Sequence, residues 1–171
     1  LHVEPFDVPP NFEREFFMYK NLNNRSPIYV NRVQIEMRPG SHHFIGYLLD
    51  SSRPLFSLAK RLFVPNRIRD LHLPNGDDDP LVLASMNYHN FFAGTQTPRF
   101  DYEFPKGVAL RLPANTGLDL NTHYVNRGEE AFEGEVYMNL HTIEKADVEH
   151  EAKIINFNNT DIELPPNKIT T

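Results

Sequence analysis

Three histidines carry the chemistry this chain offers. His42 and His43 are adjacent and follow a Pro39-Gly40 turn, and His123 stands in the later segment Leu120-Asn121-Thr122-His123-Tyr124. A neutral imidazole is a good nitrogen donor near neutral pH and is the commonest metal ligand among side chains. Three imidazoles with no thiolate suit copper or zinc, whereas calcium and magnesium take oxygen ligands. Spacing alone leaves the trio open between a metal site and ordinary surface or core histidines.

The elements around the histidines decide whether they can meet. Neighbouring residues of a regular strand point to opposite faces. His42 and His43 therefore need a bulge or a strand start to reach one metal, and Pro39-Gly40-Ser41 supplies one directly upstream. His123 belongs to the alternation Asp119, Asn121, His123, set against Leu118, Leu120, Thr122. That puts His123 with polar neighbours, on an open or solvent-facing surface. Asn121 shares its face and is a candidate for orienting a ligand from behind. Tyr47, Tyr88 and Tyr124 lie near these segments and read as packing aromatics. His2, His72, His89, His141 and His150 read as structural, with His89, among Tyr88, Phe91 and Phe92, the least secure of the five.

Two longer stretches hold the histidines. One is Val33-Gln34-Ile35-Glu36-Met37-Arg38-Pro39-Gly40-Ser41-His42-His43; the other runs from Phe104-Pro105-Lys106-Gly107-Val108 to His123-Tyr124. Together they resemble the histidine motifs of the copper type II, ascorbate-dependent monooxygenases, which include peptidylglycine alpha-hydroxylating monooxygenase and dopamine beta-hydroxylase. The arginine-proline-glycine lead into the histidine pair is closest to the bacterial branch, and the likeness covers roughly residues 28–145. The resemblance implies that His42, His43 and His123 hold one copper, the electron-transfer copper of the first of two beta domains. It also implies ascorbate or another one-electron donor as reductant, and a periplasmic or cell-surface location. In the family a glutamine often stands where Asn121 is. A methionine commonly follows the histidine pair; here that residue is Phe44. The family's second copper uses a His-x-His pair and a methionine, and no His-x-His occurs in this sequence. The second copper domain is therefore expected elsewhere in the same parent protein or in a partner chain. Ile162 to Lys168 resembles the start of that domain, within residues 158–171.

Composition sets the remaining bounds. A length of 171 residues suffices for one domain with a real core. Fourteen prolines and a hydrophobic fraction of 40% predict a loop-rich fold. A net charge of −6 argues against nucleic-acid binding, which wants clustered lysine and arginine. No apolar run approaches 18 residues, so no membrane span is expected. The absence of cysteine is neutral on compartment. Sequons at Asn24 and Asn158 are at the level of chance.

Strands are expected over Arg14–Lys20, Tyr29–Arg38, His43–Leu49, Leu81–Tyr88, Arg99–Phe104, Val108–Leu112, Gly117–Val125, Glu133–Ile143 and Ala152–Phe157. Residues 1–12 read as an extended surface arm. Leu55–Phe63 reads as one or two helical turns, with little helix outside Pro54–Asp70. Asn75-Gly76-Asp77-Asp78-Asp79-Pro80 reads as a solvated acidic turn. The expectation is an all-β, antiparallel sandwich of about eight strands, jelly-roll-like, forming a single domain over residues 1–171.

Three functions compete at this point. The first is a copper electron-transfer domain. The second is a non-catalytic β-sandwich module that binds a glycan or a protein, its histidines incidental or structural. The third, zinc hydrolysis, needs a carboxylate base near the metal, and Asp119 lies four residues back along an extended strand.

Overall fold

Turn residues cut the chain into short strands, and alternation decides which face of each strand is buried. The computed structural model describes residues 1–157 and 161–169. Its strands are β1 (His2–Val8), β2 (Phe12–Asn21), β3 (Ile28–Met37), β4 (Ser41–Leu49), β5 (Ile68–Asp70), β6 (His89–Thr95), β7 (Arg99–Glu103), β8 (Val108–Leu112), β9 (Gly117–Asn126), β10 (Phe132–Ile143) and β11 (His150–Ala152). Two short helices, α1 (Phe56–Ala59) and α2 (Pro80–Met86), lie between β4 and β6. One sheet runs β1-β10-β3-β8-β11, with β7 also paired to β3; the other runs β5-β2-β9-β4-β6. Every pairing is antiparallel except β8 with β11. The expected all-β sandwich is the observed class, built from eleven strands among the described residues.

The core lies between the sheets. Phe16 and Met18 of β2, Phe44 of β4, and Leu118, Leu120 and Tyr124 of β9 meet side chains of β3 and β10, including Ile35 and Met138. Burying each such side chain contributes about 1.5–3 kcal/mol. The Tyr124 hydroxyl, deep in this layer, donates to the Glu135 carbonyl at 2.8 Å. The other face of the five-stranded sheet is not bare. Phe17, Phe63 and Val82 are buried there, outside the inter-sheet cluster, where the segment between β4 and β6 folds back over it.

Four local readings change. The expected N-terminal arm is instead β1, paired with β10, with Val3 and Val8 fully buried. A register shift between Val3 and Phe6 accommodates Pro5, which has no N–H to offer the ladder. Leu81–Tyr88, expected as a strand, is mostly α2: Asp79 Oδ1 accepts from the Leu81 and Val82 amides, and Pro80 occupies the first turn. A short apolar run fits either period, and the cap decides it. Residues 89–95 and 68–70, read as no strand, form β6 and β5. Of the expected strand Ala152–Phe157, only Ala152 is in a strand, at the end of β11. Leu55–Phe63 is helical as expected, as α1 followed by a 3-10 turn at Lys60–Leu62. Asn158, and with it part of the 158–171 segment, lies outside the described residues. Among those described, no helix is long and apolar enough to cross a membrane.

Candidate metal centre

β4 enters the sheet through a turn that only glycine fits. Gly40 has φ +94°, and a Cβ there would lie 2.4 Å from the Phe132 ring. Its carbonyl accepts from the Val125 amide at 3.0 Å, which fixes the start of β4 against β9. Ser41 then pairs with Tyr124 and His43 with His123, so His42 is an extra residue in the ladder. This is the bulge that two adjacent histidines need, and it turns both imidazoles toward the same place.

The three rings converge through their Nδ1 atoms. His42 Nδ1 lies 3.2 Å from His43 Nδ1 and 3.2 Å from His123 Nδ1, and the third side, His123 to His43, is 3.3 Å. Three imidazole nitrogens in tetrahedral directions, each about 2.0–2.1 Å from one ion, stand about 3.3–3.4 Å apart. The triangle therefore fits a copper- or zinc-sized ion. Among the described residues it is the group of metal-ligating side chains dense enough to hold one.

The surrounding hydrogen bonds set the tautomers. Asn121 Nδ2 donates to Glu15 Oε1 at 2.9 Å, which turns Asn121 Oδ1 toward His43 Nε2 at 2.8 Å. That oxygen only accepts, so His43 carries its proton on Nε2 and a neutral ring presents a bare Nδ1. Glu13 Oε1 stands 2.7 Å from His123 Nε2 and does the same for that ring. Two lone pairs thus face each other at 3.3 Å, an arrangement that a cation relieves. Burial, above all, lowers the His43 pKa; the Asn121 and Glu15 interactions oppose the shift, while its two histidine neighbours add to it. A low value keeps the ring a neutral donor at neutral pH. His42 is exposed, and its Nε2 has no protein partner among the described residues.

His123 was expected on an open surface, but it is only 7% exposed, and Asn121 is 2% exposed. The polar face of β9 points away from the inter-sheet core, as the alternation requires, yet neighbouring strands and the β4–β6 segment cover it. The open side of the centre is at His42. Asn121 lies where a ligand-orienting residue must. Glu13 and Glu15 were not singled out from the sequence. Their i, i+2 spacing marks a common strand face, but only the pairing of β2 with β9 brings them to His123.

Asp119 is fully buried and committed elsewhere. It pairs with the Arg69 guanidinium from β5 and accepts from His89 Nε2 of β6 at 2.8 Å. The His89 ring stacks on Tyr47 of β4 with centroids 4.5 Å apart and lies 5.3 Å from Phe17 of β2. The carboxylate on the central strand thus links β5 and β6, and the His89 ring that it holds packs on β4 and β2. Both Asp119 oxygens are taken by Arg69 and His89. His2, His72 and His141 bond to Glu135, Asp78 and Gln34, away from the trio. No family model matches this chain and no curated protein matches it, so the geometry of the three-imidazole site carries the functional reading.

Proposed function

We propose that this chain is a copper-binding electron-transfer domain of a monooxygenase-like oxidoreductase. The observation that carries the reading is the Nδ1 triangle, with two of its rings held in the donor tautomer by Asn121 and Glu13. Copper supplies one-electron chemistry there, because a set of imidazoles accepts both of its common oxidation states. His43 and His123 are anchored and half-buried or buried, so they fix the donor geometry. His42 leaves one side of the centre next to solvent, where ascorbate or another one-electron donor reaches it. The motif resemblance around His42, His43 and His123 supports copper over zinc. It also supports a periplasmic or cell-surface location. The copper that reacts with oxygen and substrate belongs to a second copper domain, in the same parent protein or a partner chain, since this sequence has no His-x-His pair.

Titration with Cu(II), followed by electron paramagnetic resonance, tests the reading. One copper per chain with a type 2 signal is expected, and ascorbate should bleach it. Uptake of zinc but not copper, or a signal that survives ascorbate, overturns it. If no metal is taken up, the sandwich is better read as a non-catalytic binding module.

A further inference from the structure

We propose that Glu13 and Glu15 of β2 select the oxidation state that the three-imidazole centre retains, by favouring a divalent over a monovalent ion. This rests on the metal reading above. β2 pairs with β9 so that Glu15 lies directly opposite His123, and Glu13 follows two residues away on the same face. Glu13 Oε1 is 2.7 Å from His123 Nε2. Glu15 Oε2 is 3.8 Å from His123 Nδ1, and its Oε1 is 3.8 Å from His43 Nε2 while accepting from Asn121. Two of the three donor rings, His123 and His43, therefore stand against two carboxylates. Among the described residues, no lysine or arginine pairs with either of them. The nearby cations are engaged elsewhere: Arg14 bonds Asp70 and the Asp7 carbonyl, and Arg69 bonds Asp119.

Neutral imidazoles contribute no charge to the centre. The carboxylates do, and Coulomb energy is linear in the charge of the ion they face. Each glutamate therefore stabilises a dication by twice what it gives a monocation. In fold-change, the loss of one carboxylate should weaken Cu(II) binding by the square of the factor by which it weakens Cu(I) binding. A carboxylate that only orients a ring should weaken both by the same factor.

The test uses the purified chain, with Cu(I) and Cu(II) affinities each measured by competition against a chelator of known affinity. Glu13→Gln is the first variant: it keeps the acceptor oxygen and the shape, and at 59% side-chain exposure it endangers the fold little. Glu15→Gln is the second. The expected result for Glu13→Gln is roughly a tenfold loss for Cu(II) and roughly threefold for Cu(I), by screened Coulomb interaction near a surface. The affinity ratio then falls about threefold, a rise in midpoint potential of about 30 mV at about 59 mV per tenfold for one electron. Equal losses for the two ions, or no loss for either, overturn the inference and leave the metal centre standing. A wild-type chain that binds neither ion overturns the metal centre itself, and this inference with it.

Discussion

The three imidazoles differ in exposure, and this separates what each substitution should do. His42 is exposed, so His42→Ala should weaken metal binding while leaving stability within about 0.5 kcal/mol. His123 is buried and hydrogen-bonded. His123→Ala should weaken metal binding by more than the 10–100-fold typical of losing a residue behind a ligand, and should cost about 1–3 kcal/mol. His89→Ala should do the reverse. It leaves buried Asp119 facing only Arg69 and so should cost about 3 kcal/mol, with metal uptake unchanged. Calorimetric titration and thermal melts of the three variants check this; uptake lost in His89→Ala but kept in His123→Ala would mean that the ligands are misassigned. The ligand candidates and Asn121 were legible because their types and their i, i+2 spacing are local. Glu13, Glu15 and the Asp119 network were not. Glu13 and Glu15 meet His123 and Asn121 across 110 and 106 positions, and Asp119 meets Arg69 and His89 across 50 and 30; no local pattern encodes those pairings.

At the scale of elements, the bulge before His43 was legible from Pro39-Gly40-Ser41 and from the demand that two neighbouring imidazoles share a target. α2 was not, because its apolar run fits two periods and the deciding cap, Asp79, looked like one more acidic residue in a turn. The pairing of β7 with β3 offers a prediction in pH. Asp101 of β7 accepts two hydrogen bonds from Arg32 of β3, at 2.7 and 2.6 Å, and one from Gln34 at 2.9 Å. The Arg32 bonds, and then Gln34, pull its pKa from 3.8 down to about 2. A lowered carboxylate pKa means that the folded chain binds this proton less readily than the unfolded chain does. The contribution is therefore full above pH 3.8 and is lost as pH falls through about 2. Asp101→Asn should melt below the wild type at neutral pH, and the gap should close in acid. A gap that is constant down to pH 2 would show that the pairing is not what lowers the pKa.

For the molecule as a whole, the sandwich class was readable from many short alternating strands separated by turns, whereas the pairing order was not, since it depends on contacts between distant segments. The centre inherits that distance. His42 and His43 are separated from His123 by 81 and 80 positions, and Glu13 from the same ring by 110. An unfolded chain offers a metal two neighbouring imidazoles at most in one place; the third arrives only when β4, β9 and β2 have zipped together. The ion should therefore act as a brake rather than a starter. Saturating metal should slow unfolding by most of the stabilisation it confers and leave the refolding rate nearly unchanged, as expected for contacts absent from the transition state. Stopped-flow rates with and without metal decide this, and a refolding rate that climbs with metal would place the site in the folding nucleus. On this view the lifetime of the folded chain is set by metal supply. A loaded molecule and an empty one would share one fold and one rate of formation, yet differ in how long they survive a protease that attacks only opened chains.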